Sequence, residues 1–266
     1  MLNNDEIGTH SLITMNEAQY INAYVPNWQK PTLDLKGVES LGYVTPVTPF
    51  EYLRYAEADL NIGDVHGLVN GLSNAKRAID CQVANILHGF GLSIPKQFPS
   101  RLEKISALGL VAPRIIKKII RLRNLMEHEF HSPNLSEVED AVDIVTLFLG
   151  ATRHVFANGI TTSFWVADEV SVNPTGIKRT KTKTIIDNEF PAYTFSRGIF
   201  CAFDLEIRQL SLLLVHENNE MGNITFSKSD KRTIPLLAFM STLDAAGGKA
   251  YSPDGAHEFI SIVHAP

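Results

Sequence analysis

The sequence has little cysteine, no long apolar run and no surplus of positive charge. Cys81 and Cys201 are its two cysteines, far apart and at no metal-ligating or redox spacing. That excludes a disulfide framework and a zinc module, and points to a reduced, cytoplasmic setting. No uninterrupted apolar stretch is long enough to span a bilayer, so no membrane association is expected. The opening residues, MLNNDEIGTH, lack the basic start and apolar core of a secretory signal. With Lys and Arg at 24 against Asp and Glu at 29, the formal net charge is −5. A nucleic-acid site must therefore be a local basic patch. Phosphate loops, dinucleotide fingerprints and nucleophile elbows are also missing. No cofactor or metal is expected.

What is present suits a soluble protein with a proper core: 44% apolar and 20% charged residues. The pattern divides the chain into an N-terminal arm (1–47), a helical bundle (48–157) and a β-rich α+β region (160–266). In the arm, Thr14 to Glu17 is a capping box before a short helix that Pro26 ends. The stretch WQKPTLDLKGVESLGYVTPVTP reads as irregular or weakly extended. Thr48-Pro49-Phe50-Glu51 is a second capping box, with proline at the first helical position. A long helix over 65–88 has its apolar stripe on Leu68, Leu72, Ala75, Ile79, Val83, Ile86 and Leu87. A brief helix over 100–108 and a last helix to about His154, capped from Ser136, complete the bundle. Beyond Gly159, runs rich in β-branched and aromatic residues read as strands over 161–172, 182–186, 200–208, 210–217, 223–228 and 259–263. Within them, Phe203, Leu205 and Ile207 alternate with polar residues. Asn218 to Gly222 reads as a hairpin loop, and Pro235 to Ala246 as a helix. The fold class expected is α+β with a mainly antiparallel sheet. The β-rich region is expected to have an independent core that modulates the bundle.

The most informative stretch is Ile115 to His131, IIKKIIRLRNLMEHEFH, bracketed by Pro113 and Pro133. At roughly 100° per residue, Ile115, Ile119, Leu122, Met126 and Phe130 share one helix face. Lys117, Arg121, Asn124 and His128 share the opposite face, with His131 less well aligned. Arg123 projects about 140° away from His128, so one straight helix does not aim both at one small ligand. Arginine, an amide and histidine within two turns are suited to a phosphodiester. The guanidinium forks onto phosphate oxygens, and the imidazole moves protons near neutral pH. The plainer alternative is a surface helix with an Arg123–Glu127 pair and a solvated histidine.

Taken together, these features resemble the HEPN superfamily of nucleotide-binding helical domains, over roughly residues 50–154. The resemblance is carried by Asn74-Ala75-Lys76-Arg77-Ala78-Ile79-Asp80 on the long helix, then a short helix. Arg123-Asn124-x-x-x-His128-Glu129-Phe130, a proline and one more apolar helix follow. It implies a metal-independent endoribonuclease, of the kind found among toxins and phage-defence effectors, with Arg123, Asn124 and His128 as catalytic residues. It also implies a homodimer in which the two motif helices meet in one composite cleft, with RNA as substrate and a regulatory protein or antitoxin as a further partner. Some members have lost catalysis and serve as nucleotide-binding or scaffold modules, which keeps a non-catalytic alternative open. One toxin subgroup has tyrosine two residues after the histidine; Phe130 stands there instead, so tyrosine modification at that position is excluded.

Lys117, Arg121 and His131 are the candidate RNA contacts beside the motif, although His131 equally suits the helix dipole. Lys178-Arg179-Thr180-Lys181-Thr182-Lys183 is the strongest basic run. Lys178, Arg179, Lys181 and Lys183 are thus candidate backbone contacts, or else a lysine-protected edge strand. Asp204 and Glu206 look like a solvent face more than a metal site.

Overall fold

The computed structural model describes residues 21, 25, 28, 31–111, 114, 115, 117, 118, 121, 133–168, 177–179, 184–186, 197–216, 219–243 and 253–264. Helix and sheet are mixed, and among the described residues all strand pairing is antiparallel. The N-terminal helical part holds α1 (Pro49–Leu60), α2 (Val65–Gly89), α3 (Phe98–Ala107), α4 (Leu135–Thr152) and the single turn α5 (His154–Ala157). A five-stranded sheet has the order β1-β2-β5-β6-β7. Its strands are β1 (Pro31–Glu39), β2 (Ile160–Asp168), β5 (Arg197–Asp204), β6 (Gln209–His216) and β7 (Asn219–Thr225). A separate hairpin pairs β3 (Ile177–Arg179) with β4 (Thr184–Ile186), and α6 (Thr233–Thr242) and α7 (Pro253–Val263) follow. Among the described residues no helix is long and apolar enough to cross a membrane.

Local chemistry explains the helix starts. Thr48 accepts from the Glu51 backbone N–H at 3.2 Å, and Glu51 Oε2 accepts from the Thr48 N–H at 2.8 Å, closing the expected capping box. Asp64 caps α2 by accepting from the Gly67 N–H at 2.7 Å. The start of α4 lies two residues earlier than Ser136 suggests. Asn134 accepts from the Glu137 N–H at 3.0 Å, and Glu137 Oε2 accepts from the Asn134 N–H at 2.9 Å. Both side chains needed for a box are therefore Asn134 and Glu137, and Ser136 is left inside the first turn.

Several strand readings are corrected. Pro31–Glu39, within the stretch read as irregular or weakly extended, is the edge strand β1, with Leu33 opposite Val166 and Leu35 opposite Phe164. Proline at its first position and a register shift around Gly37 are what an edge strand tolerates, and both masked its alternation. The alternation through Leu205 and Ile207 does not continue β5. Asp204 Oδ1 accepts from the N–H groups of Glu206 and Ile207 at 2.9 and 3.1 Å, turning the chain at the strand's end. Asn219 to Gly222, expected as a loop, belong to strand β7, where a register shift between Leu214 and Val215 leaves Met221 as the extra residue between Glu220 and Gly222. Residues 259–263 belong to helix α7, where buried Ala256, Phe259 and Val263 recur at helical spacing. The Thr14–Glu17 box, and the parts of the expected strands over 169–172 and 182–183, lie outside the described residues.

Both faces of the sheet are buried. Phe164, Val166, Ile199, Cys201, Phe203, Leu212 and Leu214 belong to the main core, and Trp165, Ala167, Phe200, Ala202, Leu213 and Val215 form a second cluster on the other face. This accounts for the near-continuous apolar strands. The main core also runs without a break into the helices, through Phe148, Leu87, Leu102 and Phe90, whose ring stacks on Phe203 at 6.3 Å between centroids. In place of the independent core expected for 160–266, sheet and helices share one.

The joint between them is tight at Gly159. Its φ is +87°, and a Cβ there would lie 2.7 Å from the Glu39 carbonyl oxygen. Gly159→Ala combines left-handed strain with a backbone clash. It is expected to cost about 1–3 kcal/mol, read as a lowered urea midpoint. An unchanged midpoint would show that the β1–β2 junction yields freely.

Candidate functional site

α2 has two working faces. Its inward face packs Ala75, Ala78, Ile79, Val83 and Ile86, and adds two amide staples. Gln82 Nε2 donates to Thr152 Oγ1 at 2.7 Å, tying α2 to α4. Asn85 Nδ2 donates to Thr45 Oγ1 at 2.9 Å, and its Oδ1 accepts from the Val44 N–H at 2.7 Å. Cys81 lies beside these groups. Burial pushes its thiol above the usual range, so it acts as packing rather than as a nucleophile.

The outward face carries Val69, Leu72, Ser73, Lys76, Arg77 and Asp80 at helical spacing, and opens onto a cleft of about 830 Å³. That is within the range of small-ligand sites, roughly 300–1,000 Å³. The facing wall is α4, through Glu137, Asp140, Asp143, Ile144 and Leu147. Lys118, Arg121 and Pro133 also border the cleft. Arg77 is positioned by a relay, since its Nη1 donates to Asn74 Oδ1 at 3.2 Å and Asn74 Nδ2 donates to Asp59 Oδ2 on α1 at 2.8 Å.

Charge in the cleft is divided by wall. Lys76, Arg77, Lys118 and Arg121 stand on α2 and the helical residues after α3, while Glu137, Asp140 and Asp143 stand on α4 and Asp80 on α2. Among the described lining residues cations and carboxylates are equal in number. The described lining is therefore mixed in charge, mainly basic on α2 and the residues after α3 and acidic on α4.

The candidates from the sequence fall as follows. Arg121 is exposed, helical and at the cleft, whereas Lys117 is exposed and helical but does not line it. Arg123, Asn124, His128 and His131 lie outside the described residues, in the stretch of chain between Arg121 and Pro133. Lys178 and Arg179 are on β3, paired with Ile185 and Thr184, and Lys181 and Lys183 lie outside the described residues. Asp204 ends β5 with its carboxylate spent on the turn, and Glu206 follows in the turn itself, so the two do not share a strand face. Sequence reasoning missed Lys76, Arg77 and Lys118 as cleft cations. The spacing of Ser73, Lys76, Arg77 and Asp80 on a long amphipathic helix was the available signal. No family model, curated protein or solved structure matches the chain.

Proposed function

We propose that the protein is a metal-independent endoribonuclease of HEPN type, with the helical part as its HEPN-like bundle and with a cleft completed by a second copy of the chain. The observation that carries this reading is the position of the motif's two flanks. Arg121 before it and Pro133 after it both border the cleft, beside Lys76, Arg77 and Lys118. Helix periodicity adds to it. Lys117 and Arg121 are exposed, while Ile115 is half-buried against the core. Asn124 and His128 fall on the Lys117–Arg121 side of that period.

In this reading His128 takes the proton from a ribose 2′-hydroxyl or supplies one to the leaving 5′-oxygen. Arg123 stabilises charge on the scissile phosphate, and Asn124 orients substrate or imidazole. The divergence of Arg123 and His128 on one helix is relieved if they come from opposite protomers. Lys117, Arg121, His131 and the basic run with Lys178, Arg179, Lys181 and Lys183 hold the RNA backbone. A toxin or phage-defence role, with a restraining protein partner in the cytoplasm, fits such an activity.

A second reading is favoured by the acidic wall. Glu137, Asp140 and Asp143, with Val69 and Leu147 exposed at the rim, suit a protein surface better than a polyanion. There the domain is a non-catalytic binding module. Mixed RNA incubated in chelator with the wild type and with an Arg123→Ala/His128→Ala variant separates the two. Cleavage by the wild type alone supports the nuclease.

Arg121→Ala is expected to weaken RNA binding and lower the salt slope of log K by about one, because one phosphate contact is lost. Fluorescence anisotropy at several salt concentrations checks it. An unchanged slope would remove Arg121 from the RNA path.

A further inference from the structure

The C-terminal end of α2 is finished by its own backbone. Gly91, at φ +65°, follows the cap residue Phe90. The Leu92 N–H donates to the Leu87 carbonyl at 2.8 Å, and the Gly91 N–H donates to the His88 carbonyl at 2.9 Å. This is a Schellman closure, so the last carbonyls need no cationic side chain.

A cation is nevertheless held there. Arg208, in the β5–β6 turn, has φ +53° and is the one non-glycine residue with positive φ among the described residues. A Cβ on Gly91 would lie 2.6 Å from Arg208 Cβ, so the missing side chain of one strained residue admits the other. Arg208 Nη2 donates to His88 Nδ1 at 3.2 Å. Arginine has no acceptor, so the ring nitrogen facing it is unprotonated at neutral pH. A third strand of chain arrives alongside. Gln209 Nε2 donates to the Phe226 carbonyl at 2.7 Å, and the Phe226 N–H donates to the Leu210 carbonyl at 3.0 Å, which leads the chain to Lys228, near enough for its charge to act on the His88 ring.

We infer that this corner, formed by His88, Arg208 and Lys228, is a phosphate-binding site. The three groups come from α2, the β5–β6 turn and the β7–α6 loop, and among the described residues neither Arg208 nor Lys228 has an ion-pair partner. Of the turn's own carboxylates, Asp204 is spent on backbone N–H groups, and Glu206 is exposed. The planar guanidinium of Arg208 and the exposed ammonium of Lys228 are the donors an anion would take, beside the His88 ring that already accepts from Arg208. Burial, then Arg208, then Lys228 hold the His88 pKa below its ordinary value, which a bound anion reverses. The site does not rest on the ribonuclease reading. It lies roughly 17 Å along α2 from Lys76 and Arg77 at 1.5 Å per residue.

The test is an NMR titration of the His88 ring in the full chain, with inorganic phosphate against chloride at equal ionic strength. Phosphate is expected to raise the His88 pKa by about one unit. Arg208→Gly, which suits the positive φ, should weaken phosphate at least about tenfold. Lys228→Ala, on an exposed loop, should weaken it in the same direction and covers the case in which Arg208→Gly disturbs the turn. A His88 titration that phosphate does not move in the wild type, or moves equally in both variants, overturns the site.

Discussion

His128→Ala is expected to lower RNA cleavage by about 10²–10⁴-fold while leaving fold and stability close to wild type. The size follows from its role, since a positioned proton-transfer group typically contributes that much in rate. The silence in stability follows from helix periodicity. Lys117 and Arg121, which share its face by period, are exposed, and Ile115 on the other side of the period is half-buried against the core. By helix period His128 falls with these exposed positions, so no loss of apolar packing is expected. Initial rates on a single-stranded RNA, read beside thermal unfolding of both proteins, check the two halves together. Equal rates would remove His128 from the chemistry. A collapsed unfolding midpoint would instead make it a packing residue.

Phe164→Ala should be the most damaging single truncation in the sheet, at about 3–5 kcal/mol. Phe164 is fully buried at the middle of β2 and joins three elements. Its ring meets Phe259 of α7 edge-on at 4.9 Å, and Phe239 of α6 at 5.6 Å. Such aromatic pairs add about 0.5–1.5 kcal/mol each beyond area burial. Its neighbours are anchored on separate helices, so the space does not collapse cheaply. Against a typical total of about 5–15 kcal/mol, the variant should be close to unfolding at moderate urea. Because the core is continuous, loss of helix and of sheet should coincide. A cost below about 1 kcal/mol, or a sheet that melts well before the helices, would contradict the shared core.

The helices were readable where side chains close their own ends. Thr48 and Glu51, and the long amphipathic stripe of α2, carry their boundaries in local chemistry. The β1 strand was not readable, because Pro31, Gly37 and the charged residues between are acceptable only on an edge, and edge position is a property of the sheet. Leu205 and Ile207 imitated a strand because Asp204's control of the next N–H groups does not show in an apolar pattern. At the site, the exposure of Lys117 and Arg121 was legible from period alone. The acidic wall was not, since Glu137, Asp140 and Asp143 belong to a different helix and become a wall only when α4 lies beside α2. Lys76 and Arg77 are two cations on a long amphipathic helix, a weaker charge pattern than the basic run at 178–183.

The most direct test of the ribonuclease proposal is the chemistry of the cut ends. Wild-type protein and Arg123→Ala/His128→Ala are incubated with one end-labelled single-stranded RNA in excess EDTA, and the termini are mapped. Attack by the 2′-hydroxyl, assisted by His128 and Arg123, predicts 2′,3′-cyclic phosphate and 5′-hydroxyl ends from the wild type and intact RNA from the variant. Intact RNA from both across varied sequences, or identical cleavage by both, would contradict it and leave the binding module as the better account.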